Sequence, residues 1–261
     1  MGLMNRTSTN SIIKKVHMDT GALSLLITNY VFSLISVIIV NKEINIVKAL
    51  LIAILAIINL ISLVKVHLNL ISKRRPRDYA LFLINTAPYA TLIMYQGLWL
   101  LIPILPLILF MVEVIRGRGR SVVANVSGTA LIASTYIAWY VLMGGRLINS
   151  VIAISMFWVM YHTFSALFVE GILPFRQGIM PRHASIFWLM ALSLLIPTLW
   201  ATMGSLSLLL IVEPTVRALV TFKEDKLSIV NLRGRIRRIG ITLLTESLVL
   251  ATLALMLLYL A

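Results

Sequence analysis

Residues 47–77 read VKALLIAILAIINLISLVKVHLNLISKRRPR. Positions 47–66 supply the roughly 20 apolar residues that a helix needs to cross the hydrocarbon core of a bilayer. The run then ends in Lys73-Arg74-Arg75-Pro76-Arg77. Membrane proteins hold Lys and Arg in their cytoplasmic loops and are depleted of them in translocated ones. This stretch therefore reads as a membrane span whose carboxyl end lies inside.

The same reading extends along the whole chain. Apolar runs recur at 22–40, 47–66, 79–95, 99–115, 121–143, 147–169, 184–201, 205–220 and 239–260. Of 23 Lys and Arg residues, 20 lie in the amino-terminal tail or in every second gap between these runs. The tail has Arg6, Lys14 and Lys15; the basic gaps centre on Lys73–Arg77, Arg116–Arg120, Arg176–Arg182 and Arg217–Arg238. The other gaps hold Lys42, Lys48 and Arg146. Merging the short turns 96–98 or 202–204 into continuous spans would scramble this alternation. The expected architecture is all-α: a polytopic helix bundle of about nine crossings, amino end inside and carboxyl end outside. It consists of a cytoplasmic tail, 1–20, and one membrane domain, 21–261. The expected location is the cell membrane, and the Ile- and Leu-rich, Cys-free composition fits a prokaryotic source.

Composition supports lipid as the main solvent. Hydrophobic residues make up 60% of the 261 and charged residues 12%, against roughly 45–50% and 25% in soluble domains. The net charge of +14 sits beside apolar spans with no interleaved stacking aromatics, which argues against nucleic acid and for the anionic inner leaflet. With no cysteine, disulfides, thiolate nucleophiles and Cys-ligated metals are excluded. The first apolar run is too long for a signal-peptide core, and Arg6 spoils a myristoylation signal.

Ionisable groups inside a membrane are costly and default to functional candidates. Glu246 lies about two turns into the last span, either as a protonation site or bonded to Thr242, Thr245 or an arginine of another helix. Asn85, Tyr89 and Asn125 are further intramembrane polar candidates. Glu113, Glu170 and Glu213 are expected to pair with Arg116, Arg176 and Arg217. On the basic face, Arg74, Arg75, Arg77, Arg176, Arg182, Arg233 and Arg235 are candidates for an anion or lipid-phosphate site, because guanidinium forks grip phosphate in bidentate fashion. No metal site is expected. No cofactor is expected either; the alternatives are an isoprenoid quinone, or haem on His67 and His162, the pair of imidazoles able to approach a bis-His arrangement. Residues 221–238 mix Leu227, Ile229, Val230, Leu232 and Ile236 with charges and read as an interfacial amphipathic helix. No catalytic motif is recognisable.

Several stretches resemble the YwiC-like family of polytopic membrane proteins. They are Lys15 through Asp19-Thr20-Gly21-Ala22-Leu23, the 117–145 segment with Arg120 before Ser-Val-Val-Ala-Asn, and Arg237-Arg238-Ile239-Gly240-Ile241 followed by Glu246. Where that family has His and Trp in its opening motif, this chain has Thr20 and Leu23. The resemblance implies the bundle but no activity. Lys73-Arg74-Arg75-Pro76 is also similar to the Arg-Pro following the first Asp-rich motif of UbiA-type prenyltransferases. That likeness implies an isoprenoid or lipid-phosphate enzyme with an inward-facing cavity, but the Asp-rich motifs that hold magnesium there are missing. The expectation is therefore a non-catalytic integral subunit or lipid-binding scaffold in contact with membrane lipids and other membrane subunits. The alternatives are a UbiA-like enzyme and a transporter protonated at Glu246.

Overall fold

The computed structural model describes residues 20–261; Arg6, Lys14, Lys15, His17 and the start of the YwiC-like motif lie outside them. The described residues form helices and turns without strands. In chain order the helices are α1 Thr20–Asn41, α2 Ile46–Ile58, α3 Val64–Ser72, α4 Pro76–Thr86, α5 Leu101–Ile115, α6 Val122–Ala133, α7 Thr135–Leu142, α8 Asn149–Ile172, α9 Pro181–Met203, α10 Leu209–Thr221 and α11 Leu232–Leu260. A π-turn, Asn59–Leu63, joins α2 to α3, making one long helix. Among the described residues seven helices are long and apolar enough to cross a membrane: Gly21–Asn41, Ile46–Ser72, Leu98–Ile115, Val122–Leu142, Asn149–Ile172, Pro181–Met203 and Leu232–Leu260. The described residues are thus all-helical, with the length and apolar composition of a membrane-spanning bundle.

The segments at 79–95 and 205–220 are composite and shorter. The first is α4 continued by a tight 3-10 stretch, Ala87–Met94, that begins at the ring of Pro88, which has no N–H to continue an α-helix. The second is the 3-10 turn Ser205–Leu208 followed by α10. Both hairpin turns use glycine at positive φ, Gly97 at 147° and Gly204 at 75°, backbone that a Cβ disfavours.

The packing is inverted relative to a soluble protein. On α1, Asn29, Ser33 and Ser36 are fully buried while Ile27, Val31, Ile35 and Ile38 are exposed. The 3.6-residue period places each set on its own face, so the polar face meets protein and the apolar face is left for lipid. Exposed Ile and Leu recur on α2, α5, α9 and α11, far more apolar surface than a water-soluble monomer tolerates. The interior is aromatic: Trp139, Trp158, Trp188, Tyr136, Tyr140, Tyr161, Phe157 and Phe164 are all essentially inaccessible. One core runs from Leu25 on α1 to Leu258 on α11.

Asn29 anchors the middle of this core. The helix of the fifth apolar run is interrupted at Ser134, between α6 and α7, which frees carbonyls that a bilayer cannot satisfy. Asn29 Nδ2 donates to Ile132 O at 2.7 Å and to Thr135 Oγ1 at 2.9 Å. Trp158 Nε1 of α8 donates to Asn29 Oδ1 at 2.8 Å. Ser33 Oγ donates to Tyr136 O at 2.7 Å. Three parts of the bundle are joined through one amide.

The basic gaps meet one another at one end. A Cβ on Gly119 would lie 2.8 Å from Ile71 Cα, and one on Gly117 would strike the Arg74 guanidinium, so the second and fourth gaps touch. Arg176 Nη1 donates to Arg120 O at 2.7 Å, joining the fourth and sixth. Lys226 Nζ donates to Arg176 O, and Leu227 N to Ile172 O at 2.8 Å, joining the sixth and eighth. At the opposite end, Asn41 Nδ2 donates to Gly144 O at 2.9 Å, Ser150 Oγ to Thr202 O at 3.3 Å, and Lys42 lies over the Tyr259 ring. The carboxyl ends of α1 and α11 therefore lie together.

The 221–238 stretch corrects one expectation. It is not an interfacial helix: residues 222–230 form an irregular loop, and Arg233 through Arg238 belong to the first turns of α11. The loop is pinned to the bundle through Leu227, and Asn231 adopts a left-handed backbone, φ 53°, immediately before α11. These two constraints stop α10 from continuing into a helix parallel to the surface.

Candidate functional site

The charged groups of α10 and α11 converge with polar and aromatic groups of α8. Arg217 of α10 donates through Nη1 to Glu246 Oε2 of α11 and through Nη2 to Ser165 Oγ of α8 at 3.2 Å. Its Nε is 3.8 Å from Glu213 Oε1, one turn earlier on α10. The guanidinium sits over the rings of Phe164 and Tyr161, 4.8 and 5.2 Å from their centroids. A cation above an aromatic face is attracted by the ring quadrupole, more so away from water. Arg217 and Glu246 side chains retain 13% and 22% of their surface, so neither is well placed to be neutralised by bulk water.

Local sequence explains the arrangement. Glu213 and Arg217 are four residues apart and share one face of α10. Pro214 between them lacks an N–H and removes one backbone bond from that helix. Thr215 accepts from Trp188 Nε1 at 3.0 Å, fixing α10 against α9. Beside the cluster, His162 Nε2 is buried and has no hydrogen-bond partner among the described residues. The result is one cation facing two carboxylates from different helices, next to the Tyr161 hydroxyl and an unsatisfied imidazole nitrogen. Chemically it can lock three helices together, or exchange a proton or cation with a rearrangement of Arg217.

Glu170, Glu113 and Asp78 are also turned inward. Glu170 Oε2 lies 2.6 Å from Arg176 Nε, and Asn125 Nδ2 donates to Glu170 Oε1 at 2.8 Å. Glu113, expected to face Arg116, instead accepts from Ser121 Oγ at 2.6 Å, because the turn after α5 folds the start of α6 back over it. Asp78 is 5% exposed, with Asn69 Nδ2 at 3.4 Å from its Oδ1.

The arginine candidates divide. Arg176 is engaged by Glu170 and Arg120 O, whereas Arg74, Arg75, Arg77, Arg182, Arg233 and Arg235 are exposed. Arg74 holds a left-handed backbone, φ 48°, beside Gly117. Tyr89 accepts from Trp139 Nε1 at 2.8 Å and from Asn59 Nδ2, and Asn85 donates to Ser62 Oγ at 2.9 Å. His67 stacks on Phe110 at 4.6 Å, while His162 packs edge-on to Trp158 at 4.4 Å and to Tyr161 at 5.0 Å, so each imidazole packs against protein aromatics. Among the described residues no group of three His, Asp or Glu side chains is placed to hold a metal ion.

Sequence reading did not single out Asn29, Asn59 or Ser165. Asn29, Ser33 and Ser36 share the 3.6-residue period of one face, which was the available signal. Ser165 carries no such signal, since its role depends on α10 packing against α8.

No family model, curated protein or solved structure matches this chain. Functional inference therefore rests on the geometry described above.

Proposed function

We propose that the chain is a nine-crossing protein of the cell membrane, amino end cytoplasmic and carboxyl end outside. It acts without catalysis, as a scaffold that holds anionic lipid headgroups on its inner face, alone or as an integral subunit of a larger membrane complex. The carrying observation is the division of charge at the basic end. Carboxylates Asp78, Glu113, Glu170, Glu213 and Glu246 are wholly or partly buried and bonded or ion-paired, whereas six candidate arginines project outward. Apart from the exposed pair Glu224 and Asp225, the face presented outward is cationic. The contacts that tie all basic gaps to one end support the orientation, since positive loops gather on the cytoplasmic side.

Two results test this reading. Reporters fused to the two termini should fall on opposite sides of the membrane; finding both in one compartment refutes an odd number of crossings. Each arginine near an anionic surface contributes about 1 kcal/mol. Replacing Arg74, Arg75 and Arg77 together with Gln should therefore weaken retention of phosphatidylglycerol on the purified chain on the order of a hundredfold. Unchanged retention by native mass spectrometry would remove the scaffold reading.

The UbiA-like alternative is the weaker one: the Arg-Pro motif is present, but Asp78, the nearest carboxylate, is buried against Asn69 rather than paired with a second acid. A transporter is favoured by a specific feature, the two carboxylates competing for Arg217 beside the unsatisfied His162. The YwiC-like resemblance is compatible with any of the three.

A further inference from the structure

At the end of the bundle opposite the arginines, three basic residues lie around a single side chain. Asn41 closes α1; its Nδ2 donates to Gly144 O at 2.9 Å and its Oδ1 accepts from Arg146 N at 3.2 Å. Lys48 Nζ lies 3.4 Å from where a Cβ on Gly144 would sit. Lys42 follows Asn41 directly, with its ammonium 5.3 Å from the Tyr259 ring centroid. These are the three basic residues that break the alternation of the sequence, and they are brought together rather than scattered. Glu43 is the one carboxylate among the described residues of these loops.

A groove opens beside this cluster, lined by Ile39, Thr252, Leu255, Met256, Tyr259 and Leu260, with a volume of about 310 Å³. It runs between the carboxyl ends of α1 and α11, and the Lys42–Tyr259 contact marks its mouth. Lys42 holds a left-handed backbone, φ 61°, a conformation glycine or asparagine adopts with less strain. A lysine held there at that cost directs its ammonium across the ring that lines the groove.

We propose that this is a binding site for one anionic phospholipid, its acyl chain in the α1–α11 groove and its phosphate held by Lys42, with Lys48 and Arg146 flanking. An acyl chain gains little by leaving one apolar medium for another, so the groove sets position while the cations set selectivity. Each cation near a phosphate is worth about fivefold in preference over a zwitterionic headgroup. A soluble phosphate would use the cations but not the groove, and a second copy of the chain would use the groove but not the cations. An anionic lipid satisfies both. The site is separate from the arginine-rich face, so it stands whether or not the scaffold reading holds.

The test uses the full chain in nanodiscs of phosphatidylcholine containing a trace of phosphatidylglycerol with a photoreactive acyl chain. After irradiation, label should map to the peptide of α11 that includes Thr252 to Leu260. Lys42→Gln should reduce it about fivefold, and K42Q/K48Q/R146Q on the order of a hundredfold. Leu255→Trp, which fills the groove without altering charge, should remove label from that peptide, while the R74Q/R75Q/R77Q variant should keep it. The six substituted cations are exposed, so the charge variants report binding rather than folding. The proposal is overturned if the K42Q/K48Q/R146Q variant labels like wild type, if photoreactive phosphatidylcholine labels equally well, if inorganic phosphate competes as well as unlabelled phosphatidylglycerol, or if α11 instead crosslinks to a second copy.

Discussion

Replacing Arg217 with Met is expected to destabilise the bundle by about 3 kcal/mol, the low end of the range found when one partner of a buried ion pair is removed, because this pair is only partly buried. The reason lies in what remains. Glu246 loses the guanidinium at its Oε2, Ser165 loses its donor, and Glu213 loses its neighbour. Two partly buried carboxylates on facing helices are then left close together without the cation they share. The cation–π contacts to Phe164 and Tyr161 go as well. Unfolding of the purified chain in mixed micelles, followed by denaturant titration, reads the loss directly. Glu246→Gln should destabilise less, because Arg217 keeps Glu213 and the aromatic faces. The R217M/E213Q/E246Q variant should recover most of the deficit, since a neutral set of similar volume removes the uncompensated charge. A single R217M substitution as stable as wild type would show that the three-helix cluster is not an electrostatic lock. Proton-coupled transport abolished by Glu246→Gln in a stably folded chain would instead move the cluster from lock to working site.

The helices of the bundle were legible because apolar length is written in composition. Helices need apolar length, and Lys and Arg avoid translocation, so the runs and their basic gaps can be read residue by residue. The hairpin turns at Gly97 and Gly204 were visible for the same reason. The cluster around Arg217 was only half visible. Glu213 and Arg217 share a helix turn, but Glu246 is 29 residues away and Ser165 52, and no local pattern announces that α8, α10 and α11 meet there. Glu113 shows the opposite failure. Sequence proximity suggested Arg116, yet the turn delivers Ser121. The 221–238 stretch misled because alternating charge and apolar residues suit an interfacial helix and a pinned loop equally. The deciding contact, Leu227 N to Ile172 O, lies outside any local window. Arg176 looked like an outward anion ligand for the same reason, since its partners Glu170 and Arg120 O become apparent only once the loops are packed.

Asn29→Leu should have the second-largest effect, a loss of about 2–3 kcal/mol in the same unfolding measurement. Leu keeps the branch point of Asn but is bulkier, so the loss combines the missing hydrogen bonds with some overpacking at this fully buried position. Interhelical bonds in membranes average only about 0.6 kcal/mol each, and Asn29 makes good ones to Ile132 O, Thr135 and Trp158. The larger contribution comes from orphaning. The indole N–H of Trp158, itself fully buried, would lose its acceptor with no water at hand, a penalty of about 1–3 kcal/mol. The carbonyl of Ile132 at the α6–α7 break would lose a donor as well, although Thr135 Oγ1 still reaches it at 2.8 Å. N29L/W158F should therefore be more stable than the sum of the two single substitutions predicts, because removing both partners leaves no orphan. Additive losses in that double-mutant cycle would mean the amide does not couple α1 to α8, and the interruption at Ser134 would then need another source of stability.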